Sequence, residues 1–152
     1  MILDERTEFC DAVALNTGAA GTYLLGDQID LGVARDIGAG QPLYLVVTVD
    51  TGITVASLTG TVSFSLASDA SAAIATDGSA TVHATSAAWA TSTTAIPAGT
   101  VLFAVALPMA GAVYERYLGI LQTTGTTAIN AGKINAFLTH DVAKYKAYAD
   151  AI

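Results

Sequence analysis

Two histidines are the residues whose chemistry would be easiest to recognise in this sequence of 152 residues. A serine or cysteine nucleophile needs an oriented base beside it, and only His83 and His140 could supply an imidazole. His83 lies in an alternating segment and is expected to face solvent from a strand. His140 precedes Asp141, but adjacent strand residues point to opposite faces. The sequence therefore predicts no nucleophilic centre.

The carboxylates offer a second kind of chemistry, glycoside hydrolysis, which needs two converging acids and does occur on β-sandwiches. Most acids here fall at turns and chain ends. Glu115 is the exception, because tyrosines and an arginine flank it (Tyr114, Arg116, Tyr117). We interpret the Glu115–Arg116 pair as a cap on a strand, and we predict that the protein is not an enzyme.

Metal and cofactor sites are not predicted. One cysteine, Cys10, and two distant histidines cannot form the spaced ligand set of a zinc site, and a single cysteine excludes an internal disulfide. The pairs Asp27/Asp30 and Asp69/Asp77 match no calcium loop. The glycine-rich stretch 38–42 lacks the spacing and the lysine of a phosphate loop.

The charge distribution excludes two classes of partner. The formal net charge is −7, and no Lys or Arg occurs between Arg35 and Arg116. Nucleic-acid binding draws on clustered basic residues, and an anionic membrane surface would repel this chain, so neither partner is predicted. The longest wholly apolar run, 101–107, is far shorter than the ~20 residues of a membrane helix. The N-terminus carries acids where a signal peptide needs basic residues, so we expect synthesis in the cytoplasm.

The elements that must position any site are predicted to be strands. Residues 61–66 alternate with Val62, Phe64 and Leu66 on one face, and residues 43–50 and 101–107 are apolar on most positions of both faces. Residues 116–123 and 133–139 resemble the arms of a hairpin. Weaker candidates are 12–15, 28–32, 80–85 and 92–96.

Turn-forming residues recur at intervals of about 8–12 residues, which is typical of short strands in a sandwich. With about eight strands and no helix-length crossover, we predict an all-β fold, an antiparallel two-sheet, jelly-roll-like β-sandwich. Residues 1–152 are predicted to form one domain, with an N-terminal arm (1–11) and a C-terminal tail (142–152). The stretch 68–90, rich in Ala, Ser and Thr, is interpreted as surface loops.

Three stretches resemble a family of capsid cement, or decoration, proteins of tailed bacteriophages, the podovirus-type jelly-roll cements. They are residues 1–4 (Met-Ile-Leu-Asp), residues 29–47 (IDLGVARDIGAGQPLYLVV), and Arg116-Tyr-Leu with the following Thr/Gly-rich connection into 133–141. The middle stretch is distinctive, whereas residues 57–100 match only in general character. Together the three stretches bracket most of the chain.

The resemblance implies a structural protein on the outside of the virion, made in the host cytoplasm. It would bridge neighbouring major capsid protein subunits and associate with itself as a homodimer or homotrimer on a capsid symmetry axis. Only 12% of the residues in the sequence are charged, and the charge-poor surface that this predicts suits a protein that buries much of its outside against partners. The alternative is a carbohydrate-binding or host-recognition β-sandwich module, for which Trp89 is the main aromatic candidate.

Candidate contact residues for the capsid or for a second copy come from four places in the sequence. Trp89 is the only tryptophan and stands in a Ser/Thr/Ala-rich stretch, as an anchor or a core plug. The others lie in the N-terminal arm, in the turn at 35–36 and at the predicted strand start. These residues are Leu3, Asp4, Glu5, Phe9, Arg35, Asp36, Tyr114, Arg116 and Tyr117.

Overall fold

The computed structural model describes residues 4–37, 40–55, 59–90, 95–108 and 113–142. In this part of the chain, a single 3-10 turn at Glu5–Thr7 precedes nine strands. The strands are β1 (Glu8–Ala14), β2 (Gly21–Asp30), β3 (Tyr44–Val55), β4 (Thr61–Asp69), β5 (Thr81–Thr85), β6 (Trp89–Ala90), β7 (Val101–Ala106), β8 (Tyr117–Gly125) and β9 (Ile129–Thr139).

The strands form two antiparallel sheets. Sheet A has the order β1-β9-β3-β7, and sheet B has the order β2-β8-β4-β5. The short strand β6 pairs with the first two residues of β4, and β5 pairs with the second half of β4. Apart from β6, the first strand pairs with the last, the second with the second-last, and so on inward to β4 with β5. This is one long hairpin folded over into two sheets, the jelly-roll arrangement. The predicted all-β, two-sheet sandwich is confirmed.

The alternating strand β4 shows how the sequence builds the core. Val62, Phe64 and Leu66 are wholly buried and join the main apolar cluster between the sheets. Burying a side chain of this size stabilises a fold by about 1.5–3 kcal/mol. β4 pairs with β8 in unbroken register from Thr61↔Gly125 to Asp69↔Tyr117, so the polar and apolar faces of the two strands stay aligned.

Strand β3 is buried on both faces, as its sequence predicted. Leu45, Val47 and Val49 point into the main cluster, and the alternating Val46 and Thr48 are also at most 1% exposed. β3 lies between β9 and β7, so it is a central strand of sheet A. The sequence of a strand that is covered on both faces is typically a continuous apolar run.

The predicted hairpin between residues 116–123 and 133–139 is wrong. Both stretches are strands, but β8 pairs with β2 and β4 in sheet B, whereas β9 pairs with β1 and β3 in sheet A. The short connection between them, in which Thr126 has a φ of 66°, crosses from one sheet to the other. Both strands carry apolar residues into the same core from opposite sides, which a flat hairpin would not allow.

The predicted N-terminal arm is also wrong from residue 8 onward. Residues 8–11 belong to β1, the edge strand of sheet A, and Asp4 caps the 3-10 turn before it by accepting the Arg6 backbone N–H at 3.0 Å. The weak strand predictions at 12–15, 28–32 and 80–85 fall in or next to β1, β2 and β5. Leu3, most of 92–96 and all of the tail beyond Val142 lie outside the described residues.

Part of the stretch interpreted as surface loops forms a lid on the outer face of sheet B. Between β4 and β5, Ile74 is 3% exposed and packs with Ala67 and Leu121 in a second apolar cluster. Asp69 holds this loop by accepting hydrogen bonds from the backbone N–H groups of Ser71 and Ala75, each at 3.0 Å.

No helix among the described residues is long and apolar enough to cross a membrane.

Candidate functional site

Strands β1 and β2 are the edges of their respective sheets and lie against each other at one side of the sandwich. Gly26, in a break of the β2–β8 register between Leu25 and Ile29, lies directly against Phe9 of β1. Its φ is +61°, and a Cβ there would lie 2.0 Å from the carbonyl oxygen of Phe9. Only glycine allows the two edges to meet in this way.

A groove of about 730 Å³ opens beside this contact, between the first half of β1 and the second half of β2. Five carboxylates and one guanidinium are among its lining side chains. Each strand has one sheet neighbour among the described residues, so an edge of backbone N–H and C=O groups borders the groove on each side. The lining residues are Glu5, Arg6, Glu8, Phe9, Cys10, Asp11, Asp27, Gln28, Ile29 and Asp30.

The carboxylate side chains of the groove lie close to one another and make it strongly acidic. The pKa of Glu8 is raised, first by burial and then by Asp11 and Glu5. Burial raises the pKa of the Cys10 thiol to about 12, and Asp27 and Glu8 add to the shift. Cys10 is thus a protonated, buried core residue rather than a reactive thiol. The groove favours a cationic occupant.

A second cluster of candidate residues lies at the end of the β2–β8 pair. The chain after β2 runs beside the chain before β8, with Leu31 N–H donating to Arg116 C=O at 2.8 Å and Arg35 N–H to Tyr114 C=O at 3.1 Å. This brings together four of the predicted contact residues with Asp30, a surface that we name the end patch. The end patch consists of Asp30, Arg35, Asp36, Arg116 and Tyr117.

An ion pair organises the end patch. The Arg116 guanidinium donates from Nε and Nη2 to the two carboxylate oxygens of Asp30 at 2.9 and 2.8 Å, and it lies 4.9 Å from the ring centre of Tyr117. The arginine, with a backbone N–H from Gly32, lowers the pKa of Asp30 to about 2. Arg116 therefore pairs with Asp30, not with Glu115 as predicted. Glu115 instead accepts a hydrogen bond from the Thr81 hydroxyl at 2.8 Å.

His83 does not face solvent freely, contrary to the sequence-based expectation. It is the extra residue of an irregularity in the β4–β5 register, and its half-buried ring is held on both sides. Nε2 lies 2.7 Å from Ser68 Oγ, and the ring stacks on Tyr114 with centroids 4.0 Å apart. Burial lowers the pKa of His83, while the charge of Glu115 acts in the opposite direction.

The Ser68–His83 pair has the atoms of a nucleophile and a base, but not the access. Ser68 is 0% exposed, and its hydroxyl oxygen already accepts the Glu115 backbone N–H at 3.1 Å. A substrate cannot reach that oxygen in this conformation. The Ser68–His83 pair therefore has a structural role. The other histidine, His140, is far along the chain in an exposed position, where its Nδ1 lies 3.0 Å from the Pro42 carbonyl oxygen.

Two predicted contact residues are too buried to touch a partner. Phe9 is 1% exposed and Tyr114 is 2% exposed, and both belong to the main core cluster. The prediction is wrong for these two, because the apolar surface they offer is used inside the fold. Trp89 is half-buried, packs against the same cluster and donates from Nε1 to the Leu102 carbonyl at 3.2 Å. It acts as a plug between β6 and β7, which was one of the roles predicted for it.

One family model matches most of the chain. A family model described as Bbp16 matches residues 9–138, from the second residue of β1 to the penultimate residue of β9. The chain belongs to the Bbp16 family. A search of curated proteins found no match. Among the described residues, the matched span contains β2 to β8 entirely, all but one end residue of β1 and of β9, the end patch and most of the groove of this Bbp16 sandwich.

In the described parts of this Bbp16 chain, no three or more His, Cys, Asp and Glu side chains are grouped so as to hold a metal ion. The groove carboxylates are spread over the 3-10 turn and the strands β1 and β2 instead of converging on one point. Sequence reasoning missed Glu8, Asp11 and Asp27 as members of one surface. The register of β1 is interrupted, so no alternation in the sequence marks Glu8 and Asp11 as neighbours, and nothing in the sequence shows that β2 lies opposite.

Proposed function

We propose that this protein is a capsid cement protein, which binds the outside of a tailed-phage head and bridges neighbouring major capsid protein subunits. The resemblance of residues 29–47 and 116–141 to the podovirus-type cements motivates the proposal, and membership of the Bbp16 family is compatible with it. Jelly rolls serve many functions, so the fold by itself supports a structural role only weakly.

The observation that carries the proposal is the pair of sheet edges around the acidic groove. An extended segment of another chain can add to such an edge through backbone hydrogen bonds, while side chains enter the groove and select the partner. The contact of Gly26 with Phe9 fixes the edges in place before binding, so little ordering is needed there. A capsid subunit with a projecting, extended segment fits this surface.

The charge of the groove indicates the chemistry of that segment. Five lining carboxylates against one arginine favour lysine or arginine side chains on the partner. Asp30 is already neutralised by Arg116, so the other four acids would supply most of the attraction. We propose a basic, extended segment of the major capsid protein as the occupant. The exposed end patch is a second surface for contact with a capsid subunit or with another copy.

Self-association is the second part of the proposal. A cement on a capsid symmetry axis must match that axis, so we propose a homodimer or homotrimer. Each copy then contacts several capsid subunits, and modest contacts add up through effective concentration. Sedimentation analysis of the free protein gives the mass; a monomer at capsid-binding concentrations would contradict this part alone.

The alternative, a carbohydrate-binding module, rests mainly on Trp89. Sugar stacking needs an open ring face over a groove, and this ring is half-buried with its Nε1 bonded to Leu102. Binding of the isolated protein to a glycan array would favour the alternative over the cement.

Co-sedimentation with cement-free capsids tests the proposed groove. Asp27→Lys replaces a negative by a positive charge at an exposed groove position and so raises the net charge by two. The double variant Val101→Lys/Ala104→Lys gives the same change in net charge on exposed positions of β7, the opposite edge of sheet A. We expect Asp27→Lys to weaken binding by about tenfold or more, because like charges meet across the interface. The β7 variant should bind like the wild type. Equal binding by all three proteins, or loss only in the β7 variant, would refute the groove as the docking surface.

A further inference from the structure

His83 links three parts of the chain that are distant in sequence. From β5 it contacts Ser68 on β4, and its ring stacks on Tyr114 in the segment before β8, with an interplanar angle of 21°. The same segment is tied to Ser68 by the Glu115 backbone N–H and to Thr81 by the Glu115 carboxylate. We name the group formed by Ser68, His83, Tyr114 and Glu115 the latch.

The hydrogen count at Ser68 fixes the state of the imidazole. A serine hydroxyl has one hydrogen to give, and Ser68 Oγ accepts the Glu115 N–H. The described residues offer no acceptor for the Ser68 hydrogen other than His83 Nε2 at 2.7 Å. Because Ser68 is fully buried, water cannot replace that acceptor. Every group is satisfied only when Nε2 is unprotonated, with the ring hydrogen on Nδ1.

We propose that the latch is a pH-sensitive device: it closes the segment 113–116 onto sheet B when His83 is neutral and loosens it when His83 takes up a proton. Protonation turns Nε2 into a donor facing Ser68 Oγ. The hydroxyl then accepts two hydrogen bonds and its own hydrogen is left without a partner in a buried position. The inference does not depend on the proposed function.

The surroundings of His83 shift its pKa in both directions, and burial has the larger effect. The Glu115 carboxylate and the face of the Tyr114 ring both favour an imidazolium. These are the titratable groups that the neighbouring segment presents to it, whereas β4 presents the neutral Ser68. Burial is the larger effect and lowers the pKa of His83 below its ordinary value of 6.5. The folded form thus prefers the neutral ring.

Opening the latch would act on the end patch. The backbone of the segment 113–116 accepts hydrogen bonds from Leu31 and Arg35, and Arg116 carries the ion pair to Asp30. Tyr114 is further held by a hydrogen bond from its hydroxyl to the Pro108 carbonyl at 3.1 Å. Loosening the segment would therefore change the arrangement of this exposed surface, while the two sheets keep their own hydrogen bonds.

Nuclear magnetic resonance on the full chain tests the proposal. The ring nitrogen shifts of His83 report its tautomer and its titration, and exchange of the Glu115 amide hydrogen reports opening of the latch. Both are followed from about pH 7.5 to about pH 4.5, with exchange corrected for the intrinsic effect of pH, since this range spans ordinary histidine titration. His83→Gln removes the titration but keeps a possible acceptor for Ser68. His140→Gln is the matched control, because His140 is exposed and outside the latch.

The wild type and His140→Gln should show the Nδ1–H tautomer at neutral pH and a rise in Glu115 exchange of about fivefold or more as His83 titrates. His83→Gln should exchange at one rate across the range. Ser68→Ala should exchange fast at every pH, because the Glu115 N–H has lost its acceptor. An Nε2–H tautomer at neutral pH, a persistent pH effect in His83→Gln, unchanged Glu115 exchange as His83 titrates, or no titration of His83 above the pH of unfolding would each overturn the proposal.

Discussion

Replacing Gly26 by alanine tests how the two sheet edges are joined. At φ +61°, a residue with a Cβ costs about 1–2 kcal/mol more than glycine. The Cβ would also lie 2.0 Å from the Phe9 carbonyl oxygen and 2.7 Å from Cys10 Sγ, and overpacking of this kind costs typically about 1–3 kcal/mol. We expect Gly26→Ala to lower the free energy of unfolding by about 2–5 kcal/mol.

The matched control is Gly78→Ala, in the lid loop. Gly78 also has a positive φ, +93°, but a Cβ there would meet nothing within 4 Å. This variant should show the backbone cost alone, about 1–2 kcal/mol. Chemical denaturation measures both, and each kcal/mol corresponds to roughly 2–4 °C in Tm for a chain of this size. Equal losses for the two variants would refute the idea that β1 and β2 meet in rigid contact at Gly26.

Two further predictions concern buried and exposed polar contacts. Gln122 is 0% exposed, accepts the Asn16 backbone N–H at 2.8 Å and donates to the Asn16 carbonyl at 2.9 Å. Gln122→Leu should therefore destabilise the fold by about 2–3 kcal/mol in chemical denaturation, because both backbone groups lose their partner, and a loss below about 0.5 kcal/mol would contradict this. The Asp30 pKa of about 2 lies below the ordinary 3.8, so its contribution to stability is present above the ordinary pKa and is lost as the pH falls through about 2. Arg116→Ala should move the titration midpoint of Asp30 up towards 3.8 in a carboxyl NMR titration, and an unchanged midpoint would show that the ion pair does not form in solution.

The strands with clear alternation were predictable from sequence, and their connections were not. The alternation of Val62, Phe64 and Leu66 predicts one buried face, and in the structure β4 pairs with β8 so that this face lies in the core. The Thr/Gly connection after β8 has the same composition whether the chain turns back within a sheet or crosses to the other sheet. Composition alone therefore favoured a hairpin where the fold has a crossing.

Two other features had no periodic signal at all. In β1 the register with β9 is interrupted, and Ala12 adopts a φ of 48°, so the strand carries no regular alternation and was interpreted as an arm. Ile74 is a single large apolar residue among small ones, and nothing in the sequence shows that it covers the outer face of sheet B.

The candidate surfaces depend on contacts between distant parts of the sequence. Arg35, Asp36, Arg116 and Tyr117 were selected one by one, and the structure shows that they share one end of the sandwich. The latch was missed because His83 occupies an irregular position, where alternation predicts the wrong side of the strand. Phe9 and Tyr114 were predicted as contact residues because the sequence does not show whether a single aromatic side chain lies in the core or on the surface.

The most direct test of the proposed cement role is an electron cryo-microscopy reconstruction of phage heads bearing this protein. We expect density for the jelly roll on the capsid exterior, with the edges of β1 and β2 towards the major capsid protein and an extended basic segment of that protein in the groove. Absence of the protein from the head, or attachment through the opposite edges with the groove open to solvent, would contradict it.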